Sequence, residues 1–420
     1  MNKKAERKVF LFESKDLRTY EDRNKGKLVL FDNVQFIYEL ALAKLELLAL
    51  GINFEITDKL REFNLLNSKG IDSFIKKTAY FKIVDGKYSD YFYIIQKNVT
   101  RSVNQYLTHW IYPYKGKFHP QMIRALINII GLKENDRVLD PFIGSGTTAV
   151  EAMLLGINCI GVDVSPLCVI QSRVKTESIE VIEEIENVKK IIIQKNSFKF
   201  FDKENKNLLN LIDSIENEKV RNFYKLAYLI SVSDKERRNR KFEQSFYKNI
   251  ELMIRSIKDF SDIVSKLNLK LGKVEIIKGD ARNLDLEDNS IDGIITSPPY
   301  SIALDYVSND AHSLKVIGYE PLEIREDFIG VRGRGIQRIN LYNEDMKKSY
   351  KEMFRVLKPG KFVVIILGNA VYQGQEIKTV EFTIDYCKQI GFKLINNIDK
   401  IIFGLYNVMQ KENILIFQKP

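Results

Sequence analysis

Residues 137–163 read RVLDPFIGSGTTAVEAMLLGINCIGVD, and this stretch decides the fold. Arg137–Asp140 is a short apolar run ending in an acid. Gly144-Ser145-Gly146 follows, then a helix-period segment over 147–156 that stops at a glycine. Asn158–Asp163 is a second apolar run, and it too ends in an acid. A strand, a glycine turn, a helix and a second strand form the repeating unit of a parallel sheet. Asp163 lies 23 residues after Asp140, at the tip of the second strand. A carboxylate there can accept both hydroxyls of a ribose, so the unit points to a nucleotide-like ligand.

The pattern extends outward on both sides. Upstream, residues 120–131 open with proline and close with glycine, which predicts a helix. Downstream, Ser165 and Pro166 suit an N-cap and first turn for a helix over 166–175. Strands are expected at 274–280, ending at Asp280, and at 291–296, running into Ser297-Pro298-Pro299-Tyr300. A loop is expected over 301–340. An amphipathic helix over 344–357 should be stopped by Lys358-Pro359-Gly360, followed by a strand at 362–367 and a helix at 377–390. Two last strands, 393–403 and 412–418, should pair antiparallel and close one sheet edge. Residues 176–270 have helical period, heavy charge and no strand signature. The expected architecture is α/β, with a mostly parallel sheet and an antiparallel C-terminal strand. Its core would comprise 106–175 and 271–420, with a helical insertion at 176–270 and an N-terminal accessory region at 1–105.

Composition narrows the class. Of 420 residues, 45% are apolar and 29% charged, and 25 Phe and 20 Tyr supply ample burial, which excludes wholesale disorder. No uncharged apolar run reaches the length of a membrane span. The basic N-terminus contains only VFLF, too short for a signal peptide. Cys159, Cys168 and Cys387 exclude a disulfide scaffold and suit a reducing cytoplasm. Three scattered histidines without a CxxC give no expected metal site. Net charge is +10, and its distribution is uneven. Residues 1–120 carry 21 Lys and Arg against 14 Asp and Glu, and residues 171–270 carry 21 against 16. Residues 271–420 balance at 20 against 20. Two basic blocks beside a neutral remainder suit a polyanionic partner such as nucleic acid.

Four constellations carry chemistry. The first is Asp140-Pro-Phe-Ile-Gly-Ser-Gly-Thr-Thr148. Its glycines let backbone approach a ligand, and the helix behind offers unpaired N–H groups. It lacks the GxxxxGK[ST] of a phosphate-cradling loop and the third glycine of a dinucleotide fingerprint. Asp140 would repel a pyrophosphate and suits a ligand bearing an ammonium. The second is Asp163. The third is Gly279-Asp280-Ala281, placed to meet an adenine amino group. The fourth is Thr296-Ser-Pro-Pro-Tyr300. Two prolines cannot continue a ladder, so they fix a rigid extended turn with free carbonyl acceptors. Ser297 Oγ and the Pro298 carbonyl can accept from an exocyclic NH2 while Tyr300 stacks on the ring.

In this order, DPFIGSGTT, GVD, GDA and SPPY resemble the amino-methyltransferases that modify exocyclic nitrogens of DNA bases with S-adenosylmethionine. The resemblance covers roughly 106–175 and 271–420 and implies a Rossmann-like methyltransferase core. SPPY is more usual in the N4-cytosine enzymes; the N6-adenine enzymes usually have Asp or Asn before the prolines. Tyr114–Pro120 (YKGKFHP) resembles the segment covering the methionine end of the cofactor. SIALDY (301–306) and RVLKPG (355–360) also look like family segments. Carried over, Phe118, His119 and Pro120 would border the methionine moiety, with Asp140, Pro141, Gly144, Gly146 and Thr147 lining it from the glycine loop. Asp163 would hold the ribose, Asp280 and Ala281 the adenine. Ser297, Pro298, Pro299 and Tyr300 would form the target-base site. Two departures stand out: the long link between Asp163 and Asp280, and no recognisable target-recognition domain after SPPY.

The implied chemistry is in-line methyl transfer to the nitrogen of a flipped-out base, without a covalent enzyme intermediate. No cysteine follows a proline, which disfavours a C5-cytosine mechanism. Candidate DNA contacts are Arg237, Arg238 and Arg240 in the 176–270 segment and Arg332, Arg334 and Arg338 in the Gly/Arg-rich loop. His109 and Trp110 are expected to be packing residues. The expected partner is DNA, with a cognate restriction enzyme encoded nearby. Competing readings are an N6-adenine enzyme, an RNA base methyltransferase acting on tRNA or rRNA, a protein N-methyltransferase, and a non-catalytic nucleic-acid-binding protein on the same fold.

Overall fold

The computed structural model describes residues 24–98, 102, 104–114, 116–194, 206–300, 305–403 and 409–420. The basic first residues and positions 301–304 of the SIALDY segment lie outside them. Among the described residues, no helix is long and apolar enough to cross a membrane.

The region before residue 98 forms a five-stranded antiparallel sheet. Its strands are β1 (Lys27–Leu30), β2 (Phe54–Ile56), β3 (Glu62–Leu65), β4 (Phe81–Val84) and β5 (Lys87–Tyr88), in the order β2-β3-β1-β4-β5. Helices α1 (Ile37–Ala49), α2 (Ile71–Lys77) and α3 (Asp90–Gln96) accompany it. These strands have two to four residues each, which left the region hard to read from sequence.

The second sheet begins after α4 (Pro120–Ile129). It starts with β6 (Arg137–Asp140), α5 (Thr147–Leu154), β7 (Asn158–Asp163) and α6 (Pro166–Glu177). Both strand ranges match the expectation, and Ser165 Oγ caps α6 by accepting from Cys168 N. Residues 182–267 are helical where described: α7 (Ile182–Gln194), α8 (Lys206–Asp213), α9 (Glu218–Arg238) and α10 (Phe242–Leu267). Strands β8 (Val274–Lys278) and β9 (Ile291–Thr296) return to the sheet. They are followed by α11 (Tyr306–Val316), α12 (Pro321–Ile324) and α13 (Gly335–Val356). The chain then forms β10 (Leu357–Leu367), a hairpin of β11 (Ala370–Tyr372) and β12 (Gln375–Ile377), α14 (Thr379–Gln389), β13 (Lys393–Phe403) and β14 (Met409–Gln418).

The order is β13-β14-β10-β9-β6-β7-β8. Strands β10, β9, β6, β7 and β8 run parallel, while β14 pairs antiparallel with β10 and with β13. The sheet is buried on both faces, which explains the nearly continuous apolar runs of β9 and β10. Side chains alternate: Leu139, Ile294, Val363 and Ile365 face α13 and α14, while Val138, Ile295, Val364 and Ile366 face the core shared with α4, α5 and the N-terminal sheet. Each such fully buried aliphatic side chain contributes roughly 1.5–3 kcal/mol.

Two expectations are corrected. The stretch 301–340 is not a loop throughout: α11 and α12 lie within it, and α13 starts at Gly335 rather than 344. The buried stripe Tyr342, Met346, Tyr350 and Met353 sits at helical spacing, so the apolar period extends further upstream than the charged residues suggested. Strand β10 starts at Leu357, ahead of Pro359. Its register with β9 shifts between Leu357 and Phe362, so the proline sits where ladder pairing is interrupted.

Candidate active site

Strand order reverses between β6 and β9. From β6 the chain builds outward through β7 and β8, then returns to place β9 on the opposite side. Ligands of open parallel sheets sit at the carboxyl ends of the strands at such a point. A cleft of about 1000 Å³ lies there. Phe118, Pro141, Gly144, Thr147, Asp163, Asp280, Ala281, Ser297, Pro299 and Tyr300 all line it. The sequence motifs, spread over 180 residues, therefore meet in one cavity.

The glycine loop owes its shape to two left-handed residues. Gly146 has φ +77°, and a Cβ there would lie 2.9 Å from Ser172 Oγ and 3.1 Å from its Cα. Gly144, at φ +49°, faces the Tyr114 ring at 3.3 Å from where a Cβ would stand. Its carbonyl accepts from Gln171 Nε2 and Ser172 Oγ on α6, both at 3.1 Å. Lys175, buried on α6, donates to the Ser145 carbonyl at 2.6 Å, and burial holds its ammonium well below the usual lysine range. The loop is thus clamped from behind by α6, with Thr147 and Ser145 hydroxyls 3.1 Å apart.

Asp163 accepts from Gly144 N at 2.9 Å through Oδ2 and from Ser165 N at 2.8 Å through Oδ1. Each oxygen keeps a second lone pair for a ligand. Burial raises its pKa to about 6 against the pull of those two N–H groups. Asp140 is placed differently. It does not line the cleft; its carboxylate lies beneath the loop. Thr296 and Thr148 hydroxyls donate to it at 2.7 Å each, and Phe142 N at 3.1 Å. Burial raises Asp140 to about 6 as well. These three bonds tie β6, α5 and the end of β9 together, so Asp140 frames the loop and the SPPY turn at once. Gly146 and Pro298 also stand back from the lining.

Asp280 is held by Arg282, whose Nε lies 2.9 Å and Nη2 2.6 Å from Asp280 Oδ2. Arg282 also reaches Asp345 on α13 at 3.2 Å. Neither residue was singled out from sequence; the only signal was an arginine two positions after the acid in GDAR. Tyr114 and Lys117, within the segment expected to cover the methionine end, also line the cleft, and so do residues that sequence reasoning missed: Asp310, Leu314, Asp327, Phe328 and Ile329. The last five come from the stretch read as a loop.

His119 and Pro120 begin α4. His119 lines a second, adjoining cleft of about 2620 Å³, not the first, and its Nε2 accepts from Asn104 Nδ2 at 2.9 Å. Burial lowers its pKa to about 4, so the ring is neutral. The two clefts share Gly116, Lys117, Phe118, Ser297 and Tyr300. Lys117 donates to the His109 carbonyl, and burial lowers its pKa to about 7. His109 and Trp110 pack as expected: His109 Nε2 meets Glu151 at 2.8 Å and Trp110 donates to Ser256 at 2.6 Å.

The candidate DNA-contact arginines are more engaged than their sequence setting suggests. Arg332 pairs with the buried Asp345, and Arg338 donates to the Gly330 carbonyl at 2.5 Å. The Gly/Arg-rich segment is therefore stapled to α13, not free, and Arg334 alone of the three is exposed. Arg237 donates to the Asn309 carbonyl, while Arg238 and Arg240 contact Asp234 at 2.9 and 3.4 Å with half their side chains still exposed.

A parallel α/β sheet with a cleft at its switch point, a clamped glycine loop and a Pro-Pro turn defines a Rossmann-like core. Residues 75–173 match the model of the N6/N4 DNA methylase family. It is 25% identical to the Type II methyltransferase M.BsoBI of Geobacillus stearothermophilus, over 76% of this chain and 86% of that protein. It is 34% identical to the Type II methyltransferase M.MjaII of Methanocaldococcus jannaschii, over 30% of this chain and 24% of that protein. A 51-residue stretch is 41% identical to the tRNA (guanine(10)-N2)-dimethyltransferase of Methanothermobacter thermautotrophicus, 12% of this chain and 15% of that protein.

Proposed function

We propose that the protein transfers the methyl group of S-adenosylmethionine to the exocyclic amino nitrogen of a DNA base, N4 of cytosine, as the methylase of a restriction-modification pair working in the cytoplasm. One observation carries the reading: the glycine-loop pocket and the Ser297–Tyr300 turn share a single cleft. The Ser297 that opens the turn supports cytosine N4, and the match to the DNA methylase family supports DNA.

The residues present fit the cofactor. Asp163 offers paired carboxylate acceptors to ribose hydroxyls, and Asp280, fixed by Arg282, offers an acceptor to an adenine amine. Phe118 and the loop backbone at Gly144 provide an apolar and close-approach wall for the methionine end. When bound, S-adenosylmethionine supplies an electrophilic methyl. Ser297 Oγ and the Pro298 carbonyl accept from the target amine and orient its lone pair, while Tyr300 stacks on the base. Both acceptors stabilise the positive charge that grows on nitrogen during transfer, so no strong general base is required. The neutral His119 and buried Lys117 keep the neighbouring wall low in charge.

The short tRNA-methyltransferase match favours a second reading, an RNA base amine as substrate. Labelled methyl transfer to DNA and to tRNA, offered separately, decides between them: label in DNA supports the proposal, and label in tRNA alone overturns it.

A further inference from the structure

Tyr300 ends the Pro-Pro turn, and its hydroxyl donates to Glu412 Oε1 on β14. The other carboxylate oxygen, Oε2, accepts from Lys400 Nζ on β13. Lys400 and Glu412 are direct cross-strand partners, with side chains only 10% and 15% exposed. All three residues line the second cleft, with His119 from the start of α4 and Tyr38 from α1, and Tyr300 lines the first as well. The C-terminal hairpin is therefore built into the wall of the site, although nothing in its sequence marks it as functional.

We infer that Glu412 is a positioning residue that fixes the place of the Tyr300 ring through its hydroxyl and so sets where a target base stacks. A tyrosine turns about two side-chain bonds. At Tyr300 the backbone is held by the preceding prolines and the far end by Glu412, so rotation about Cα–Cβ cannot carry the ring away from its place; the hydroxyl lies on the axis of the second bond, so this contact locates the ring and does not itself set its turn about that axis. Lys400 offsets the carboxylate charge within the nearly buried pair, which lets Glu412 hold this place without a solvent shell. A stacking surface ordered in advance costs less to organise when a base arrives. The second cleft, walled by the same hairpin, then becomes the side from which the base reaches Ser297. The inference rests on the proposed reading of Ser297–Tyr300 as the base site.

The test combines a readout of the ring with a readout of transfer. The protein is labelled with 3-fluorotyrosine, and the Tyr300 fluorine resonance is assigned with Tyr300→Phe. Glu412→Ala should shift and broaden that resonance. It should lower kcat/KM for methyl transfer to unmethylated genomic DNA by about 10- to 100-fold, the range for one hydrogen bond to a charged group. KM for S-adenosylmethionine should stay unchanged. Glu412→Gln, which keeps an acceptor oxygen, should recover most of the loss. Tyr300→Phe combined with Glu412→Ala should be no slower than Tyr300→Phe alone. Where Glu412→Ala fails to fold because Lys400 is left unpaired, Lys400→Met is added and the same readouts apply. A Tyr300 resonance unmoved by Glu412→Ala overturns the inference, as do losses that simply add in the double variant. Parent protein that methylates no DNA overturns the underlying base-site reading instead, and is told apart because the resonance still reports the Tyr300–Glu412 contact.

Discussion

At Asp163, folding and binding respond to protonation with opposite sign. Burial raises its pKa from 3.8 to about 6. A raised carboxyl stabilises the fold below its unfolded value, and that contribution is lost as pH rises through the folded value. The proposed role of Asp163, accepting ribose hydroxyls, is served best by the anion, which disappears as pH falls through about 6. Cofactor affinity should therefore be flat above that pH and weaken below it, measured by titration calorimetry across pH 5–8. Asp163→Ala should weaken cofactor binding by about 10- to 100-fold at neutral pH; undiminished binding would remove the ribose assignment. Ser297→Ala should lower turnover by one to two orders of magnitude while leaving cofactor affinity intact, since in the proposed reading its hydroxyl meets the base and not the cofactor. Steady-state kinetics beside calorimetry separates the two. These acids were legible because each closes an apolar strand. Arg282 and Asp345 were not, because their pairing spans 63 residues and leaves no local pattern.

Among the elements, the glycine loop makes the sharpest demand on sequence. Gly146→Ala would place a methyl against Ser172 and force a left-handed backbone on an L-residue. That conformation alone costs about 1–2 kcal/mol, and the contact adds to it. Thermal unfolding should show a lowered Tm, and cofactor binding should weaken because Thr147 and the loop amides move with it. An unchanged Tm would mean the loop relaxes freely, against the clamp by Gln171, Ser172 and Lys175. Strands β6, β7 and β9 were legible to the residue, each bounded by an acid, a glycine turn or a proline pair. The start of α13 was not. Gly330–Gly335 reads locally as a flexible loop, but Asp345 holds Arg332, the Gly330 carbonyl holds Arg338, and Val331 is buried in an apolar cluster.

Across the whole molecule, the N-terminal sheet is joined to the seven-stranded sheet and its helices by buried polar groups. Glu46 on α1 accepts from Thr78 Oγ1, Ala79 N and, across to α4, Asn128 Nδ2. Arg124 on α4 donates to the Lys76 and Lys77 carbonyls and lies 3.5 Å from Glu151 on α5. Tyr106 donates to the same Glu151 at 2.5 Å. Removing Glu46 strands several buried donors, so Glu46→Ala should destabilise the protein by about 3 kcal/mol or more, read by denaturant unfolding. Loss of the N-terminal and core signals in one transition is expected, because one apolar cluster spans both. None of this was visible in the sequence, where strands of two to four residues and single polar side chains gave no period to follow.

The most direct test of the central claim is methyl transfer from labelled S-adenosylmethionine to unmethylated genomic DNA and, separately, to bulk tRNA, with products digested to nucleosides for mass spectrometry. N4-methylcytosine in the DNA is the predicted result. Label confined to tRNA, or no transfer to either, would contradict it.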